Sequence, residues 1–157
     1  MRRLQDIAKN LEGVEFDWLA FDRNGAAAVF MTAGCGEVPN SILAVVGKAS
    51  RTAMDKSLDL ILDGLEETST YAEESGGVGV DRETPRFARR GLLVYDWGHW
   101  QGPYRRVLVP SRPAKAELVP DLMPPEIRSA LPVLEIDFFS TACFQLSDII
   151  PCHALRS

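Results

Sequence analysis

Leu4, Ile7, Ala8 and Leu11 recur at helical spacing and predict a short amphipathic helix over 2–12, stopped by Gly13. The period then changes. Phe16, Trp18 and Ala20 alternate with Asp17, Leu19 and Phe21, and Ala28, Val29, Phe30 and Met31 supply a second strand. Between them stands Asp22-Arg23-Asn24-Gly25; an Asn-Gly pair takes positive φ readily, so the two runs predict a tight hairpin. After the glycine-rich stretch 33–39, Pro39, Asn40 and Ser41 signal a helix start, with Gly47 as a break or kink. From Ser50, an N-cap candidate, Met54, Leu58, Ile61, Leu62 and Leu65 form the apolar stripe of a longer helix reaching about Glu67.

Residues 68–80 are polar, and Gly76, Gly77 and Gly79 predict a loop. A short helical turn fits 82–90. Leu92–Tyr95 and Tyr104–Val109 read as a second strand pair joined through 96–103, and Val133–Phe139 as a further strand. Pro124-Pro125 suits the first turn of a short helix through about Leu131. Hairpins with helices between them predict an α+β fold, a mainly antiparallel sheet with helices packed on one face. The chain reads as a single domain, 1–157, without repeats.

Composition narrows the function classes. A chain of 157 residues can bury roughly 70% of its unfolded surface, so it needs no metal or disulfide staple. Seventeen basic against 22 acidic residues leave a net charge of −5, which argues against nucleic acid and is compatible with a basic partner. No apolar run approaches the roughly 20 residues that cross a bilayer, and Asp6, Lys9, Asn10 and Glu12 interrupt any signal-like segment. Cys35, Cys143 and Cys152 are odd in number and lack CxxC spacing, as expected of reduced thiols. A cytoplasmic location follows as the expectation.

Five constellations are candidates for chemistry. Gly34-Cys35-Gly36, read as lying after a strand and before a helix, could bare a thiol whose pKa the helix start would lower. His99 or His153 would then have to serve as base, oriented by Asp96 or Asp148; the plain alternative is a turn that needs its glycines. Cys143, Cys152 and His153 have gaps that match no zinc pattern. The glycines at 76, 77 and 79 lack phosphate-loop spacing, so no cofactor is expected. Asp55, Asp59 and Asp63 fall at i, i+4 on the long helix and continue into Glu66 and Glu67, an acidic ridge near the negative end of the helix dipole. That ridge is either a docking surface for a cationic protein or an ordinary solvated face. Trp97 and Trp100, in Trp97-Gly98-His99-Trp100, either anchor a partner or close one end of the core.

Two blocks carry a resemblance. Phe16 to Asp22, Asn24-Gly25, Val29 to Gly34 and Val38-Pro39 form the first; Gly91 to Asp96 and Tyr104 to Val107 form the second. Together they resemble small uncharacterised bacterial proteins of the toxin-immunity type. The resemblance implies a non-catalytic protein that neutralises a toxin by protein–protein contact, and it transfers no catalytic residue. On this expectation Asp55, Asp59, Asp63, Glu66, Glu67, Trp97 and Trp100 meet a basic toxin domain. The alternatives are a thiol-dependent enzyme using Cys35 and a small-molecule-binding or homo-oligomeric protein.

Overall fold

The computed structural model describes residues 3–48, 51–74, 80–98, 101–114 and 117–156, and of 51 and 53 only the backbone. Ser50, Gly76, Gly77, Gly79, His99 and Trp100 lie outside the described residues.

The α+β class holds. Helix α1 (Leu4–Asn10) leads into strands β1 (Asp17–Asp22), β2 (Ala27–Met31) and β3 (Glu37–Pro39), then helices α2 (Asn40–Lys48) and α3 (Arg51–Gly64). Strand β4 (Tyr71–Glu73), helix α4 (Thr84–Arg89) and strands β5 (Leu93–Trp97) and β6 (Tyr104–Pro110) follow. The chain closes with helices α5 (Leu118–Asp121) and α6 (Pro125–Arg128), then strands β7 (Val133–Leu134), β8 (Cys143–Phe144) and β9 (Cys152–Ala154).

Seven strands form one sheet in the order β4-β6-β5-β2-β1-β7, with β8 also on β6, and β3 pairs with β9 separately. The β1–β2 and β5–β6 pairs are antiparallel, but β2 meets β5 and β1 meets β7 in parallel. The sheet is therefore mixed. A parallel pair needs a long crossover, and the chain through α2, α3 and α4 supplies it between β2 and β5.

The first turn forms by a different route from a paired-positive-φ hairpin: only Gly25 has positive φ, at 84°. Asp22 Oδ1 accepts from the Asn24 and Ala26 amides at 2.9 Å each and shapes the loop. Both faces of β1 and β2 are covered, which is why their apolar residues run continuously. The register places Trp18, Phe30, Tyr95 and Arg106 in one row on one face. Asp17, Met31, Asp96 and Arg105 form the neighbouring row on the other face.

On the first face Trp18 stacks on Phe30 at 4.2 Å and Phe30 on Tyr95 at 5.0 Å, with Tyr104, Phe138 and Phe144 meeting them by their edges or at a tilt. The expected strand 133–139 stops after Leu134. Beyond it one main-chain bond to the first hairpin remains, from the Arg23 amide to the Ile136 carbonyl at 3.1 Å, and side chains of the sheet hold the rest. Asp22 Oδ2 accepts from the Phe138 amide at 2.9 Å and Arg106 Nη1 donates to the Phe138 carbonyl at 2.6 Å; Tyr95 Oη donates to the Thr141 carbonyl at 2.6 Å, with the Phe138 carbonyl 3.1 Å away. The segment lies across the aromatic cluster as a strap.

On the second face α3 packs against β1, and α4 against β5 and β6. Met54, Leu58, Ile61 and Leu62 are buried as the stripe predicts, and Leu65 is half-buried beyond the helix end. The helix ends at Gly64, three residues short of Glu67, where Leu122 Cδ2 would stand 2.5 Å from any added Cβ.

Candidate functional site

The glycines around Cys35 serve packing. Gly34 has φ of 74° and lies 2.9 Å from the Gly13 backbone, measured from where a Cβ would sit; its carbonyl accepts from the Gly13 amide at 2.8 Å. At Gly36 a Cβ would meet Tyr104 Oη at 2.9 Å and Trp97 Cγ at 3.0 Å. Strand β3 intervenes between Cys35 and α2, so the helix start expected to activate the thiol is not beside it. Cys35 itself is half-buried against the core. His153 Nδ1 is 2.7 Å from Asn40 Oδ1 instead of serving that thiol.

Cys152 and Glu37 do meet, which sequence spacing did not reveal. Glu37 is 8% exposed; its Oε1 accepts from the Leu146 and Ser147 amides at 2.8 and 3.3 Å, and its Oε2 from the Cys152 thiol at 3.6 Å. Burial, then the carboxylate's charge and hydrogen bond, push that thiol up to about 12. A thiol held in that form is a hydrogen-bond donor, not a nucleophile. Cys143 is exposed on β8, and among the described residues no cluster of three or more histidine, cysteine or carboxylate side chains could hold a metal ion.

Trp97 is 4% exposed and meets Tyr104 edge-on at 4.9 Å. Gly102 lies against its ring, where a Cβ would come within 2.4 Å. Of its two readings the structure selects core closure, and the expectation of a docking anchor at Trp97 is corrected. Trp100 lies outside the described residues.

The acidic ridge divides into parts. Asp55, Asp59 and Asp63 are exposed on α3, while Glu66 and Glu67 are exposed beyond its end. Glu67 accepts from Arg90 Nη1 at 3.3 Å, a surface pair of small energetic weight. Asp55 also acts on Asp17, the first residue of β1. Asp17 is raised from 3.8 to about 7, first by burial, then by Glu15, Asp55, Asp81 and Asp96. Burial also raises Asp96, with Asp81 adding to it. Sequence spacing missed this group because its members come from four separate segments.

Sequence reasoning also missed Leu60. It is 45% exposed, between Asp59 and Asp63 on α3, and beside the half-buried Leu65 an open groove of about 520 Å³ runs toward Arg112 and the 47% exposed Leu118. On the helix surface Leu60 has Asp63 at i+3 and the exposed Lys56 at i−4, with Asp55 and Asp59 to one side, so an apolar side chain borders a charged flank. No family model, curated protein or solved structure matches the chain.

Proposed function

We propose that this chain is a non-catalytic binding protein of the toxin-immunity type, which covers a basic protein surface with the outer face of α3. The observation that carries the reading is Leu60, 45% exposed on the helix that also presents Asp55, Asp59 and Asp63 to solvent. The carboxylates attract and orient a cationic surface over several ångströms, and the leucine is desolvated on contact. The net charge of −5 works in the same direction. The packing role of the glycines around Cys35 and the hydrogen-bonded form of Cys152 weigh against the thiol-enzyme alternative.

The test is to look for a toxin gene beside this one and, with its product, to measure stopped-flow association at low and high salt. Asp59→Lys with Asp63→Lys should slow association about tenfold or more at low salt and flatten its salt dependence. Leu60→Ala should mainly speed dissociation. Association unchanged by the double reversal would leave α3 as a solvated face, and a gene neighbourhood without a toxin would count against the immunity reading.

A further inference from the structure

Strand β4 is an open edge of the sheet and pairs with β6 alone, Ala72 standing opposite Val109 at its centre. The Ser111 amide donates to the Thr70 carbonyl and the Glu74 amide to the Val107 carbonyl, each at 2.8 Å. Antiparallel ladders bond at alternate residues, so the N–H and C=O groups of Tyr71 and Glu73 point away from β6. No hydrogen bond reaches those groups among the described residues, and Ala72 and Glu73 are exposed. The edge is also fixed at both ends. Glu74 accepts from Arg106 Nη2 at 2.7 Å, while the Ser69 amide donates to the Arg89 carbonyl at 2.9 Å and Ser69 Oγ accepts from the Arg112 amide at 2.9 Å. A strand held in this way loses little freedom when it pairs.

The charges along the edge are incomplete. Tyr71 and Glu73 lie on one face of the strand, and Arg89 of α4 sits over the Tyr71 ring, 5.8 Å from its centroid. Arg89 and Glu73 are both exposed, and among the described residues neither forms an ion pair. A charged side chain on an edge strand ordinarily discourages pairing. Opposite a strand that presents a cation, it selects the partner instead.

We propose that β4 pairs with β4 of a second copy of this chain, antiparallel about a two-fold axis at Ala72. That register sets Tyr71 opposite Glu73 of the partner subunit, and the two edges exchange about four main-chain hydrogen bonds. Each Glu73 reaches Arg89 of the partner subunit beside the Tyr71 ring, so the axis generates two equivalent ion pairs. Ala72 meets its own copy on the axis, where a charged side chain would face its like. The edge lies at the opposite side of the sheet from β1, against which α3 packs, so pairing leaves the outer face of α3 free.

Sedimentation velocity and hydrogen–deuterium exchange on the full chain alone test it, with no toxin present. So short a seam predicts association in the micromolar range, with the mass rising from one chain toward two between about 1 and about 200 µM. Over the same range the Tyr71 and Glu73 amides should gain about tenfold in protection. Glu73→Arg and Arg89→Glu, both at exposed positions, should each weaken self-association about tenfold or more, because each sets like charges together. An equimolar mixture of the two variants should form the heterodimer, in which both pairs are again opposite in sign. A chain monomeric throughout, a dimer whose Tyr71 and Glu73 amides stay unprotected, or single variants that associate as well as the parent would each overturn the proposal.

Discussion

Asp17 and Asp22 open and close the same strand, yet they face opposite sides of the sheet and opposite electrostatic surroundings. Asp22 is 2% exposed and accepts from three backbone amides, those of Asn24, Ala26 and Phe138. Asp17 is half-buried, and no hydrogen bond reaches its carboxyl among the described residues; its strongest electrostatic neighbours are four other carboxylates. Burial depth alone does not decide whether a carboxylate stabilises a fold. The donors aimed at it do. One face is consequently a closed polar-and-aromatic lock over the strap, and the other ends in a charge group that favours a proton.

The comparison breaks most readily at Asp22. Asp22→Ala leaves three amides without their acceptor and should cost about 3 kcal/mol or more in urea unfolding; a loss under about 1 kcal/mol would mean that the strap holds by apolar contact alone. Asp17 should behave in the opposite sense. Its folded value, raised from 3.8 to about 7, gives stability that is fully present below about 3.8 and lost as pH rises through about 7. The shift corresponds to at most about 4 kcal/mol, discounted toward about 2 because the carboxyl still reaches solvent. Asp17→Asn should accordingly gain stability over the parent progressively from about pH 4 to about pH 7 and hold the gain above it. A constant difference across that range would place Asp17 in an ordinary aqueous setting.

The smallest effect sharpens the contrast from the locked side. Tyr104 is fully buried, accepts from Trp18 Nε1 at 3.2 Å and donates to the Glu37 carbonyl at 2.6 Å. Tyr104→Phe should lower stability by about 1–2 kcal/mol, equally at mildly acid and neutral pH, as read by thermal melts. A strongly pH-dependent cost would show that the two faces are coupled.

Much of the local structure was legible along the chain. The period-two runs at 16–31, the glycine at 25 and the stripe of α3 each encode a preference between neighbouring residues, and neighbours are what periodicity records. Where long-range bonds compete, the reading failed. Val133–Phe139 has strand composition, but the Ile136 amide turns back to the Leu134 carbonyl where the ladder stops, and Asp22 and Arg106 hold the backbone at Phe138 instead. The parallel joining of the two hairpins is likewise invisible to turn chemistry, because it depends on which strand edges meet.

The candidate site followed the same division. That Asp55, Asp59 and Asp63 share one side of a helix is a property of helical spacing, and the sequence by itself determined it, along with the charge and the helix's apolar stripe. Only the tertiary structure decided that Trp97 is core, that Glu37 holds Cys152, and that Asp17 lies among carboxylates from distant segments. The physical reason is distance along the chain. Spacing records what one element presents, whereas burial and field at a side chain are set by whatever the fold brings against it.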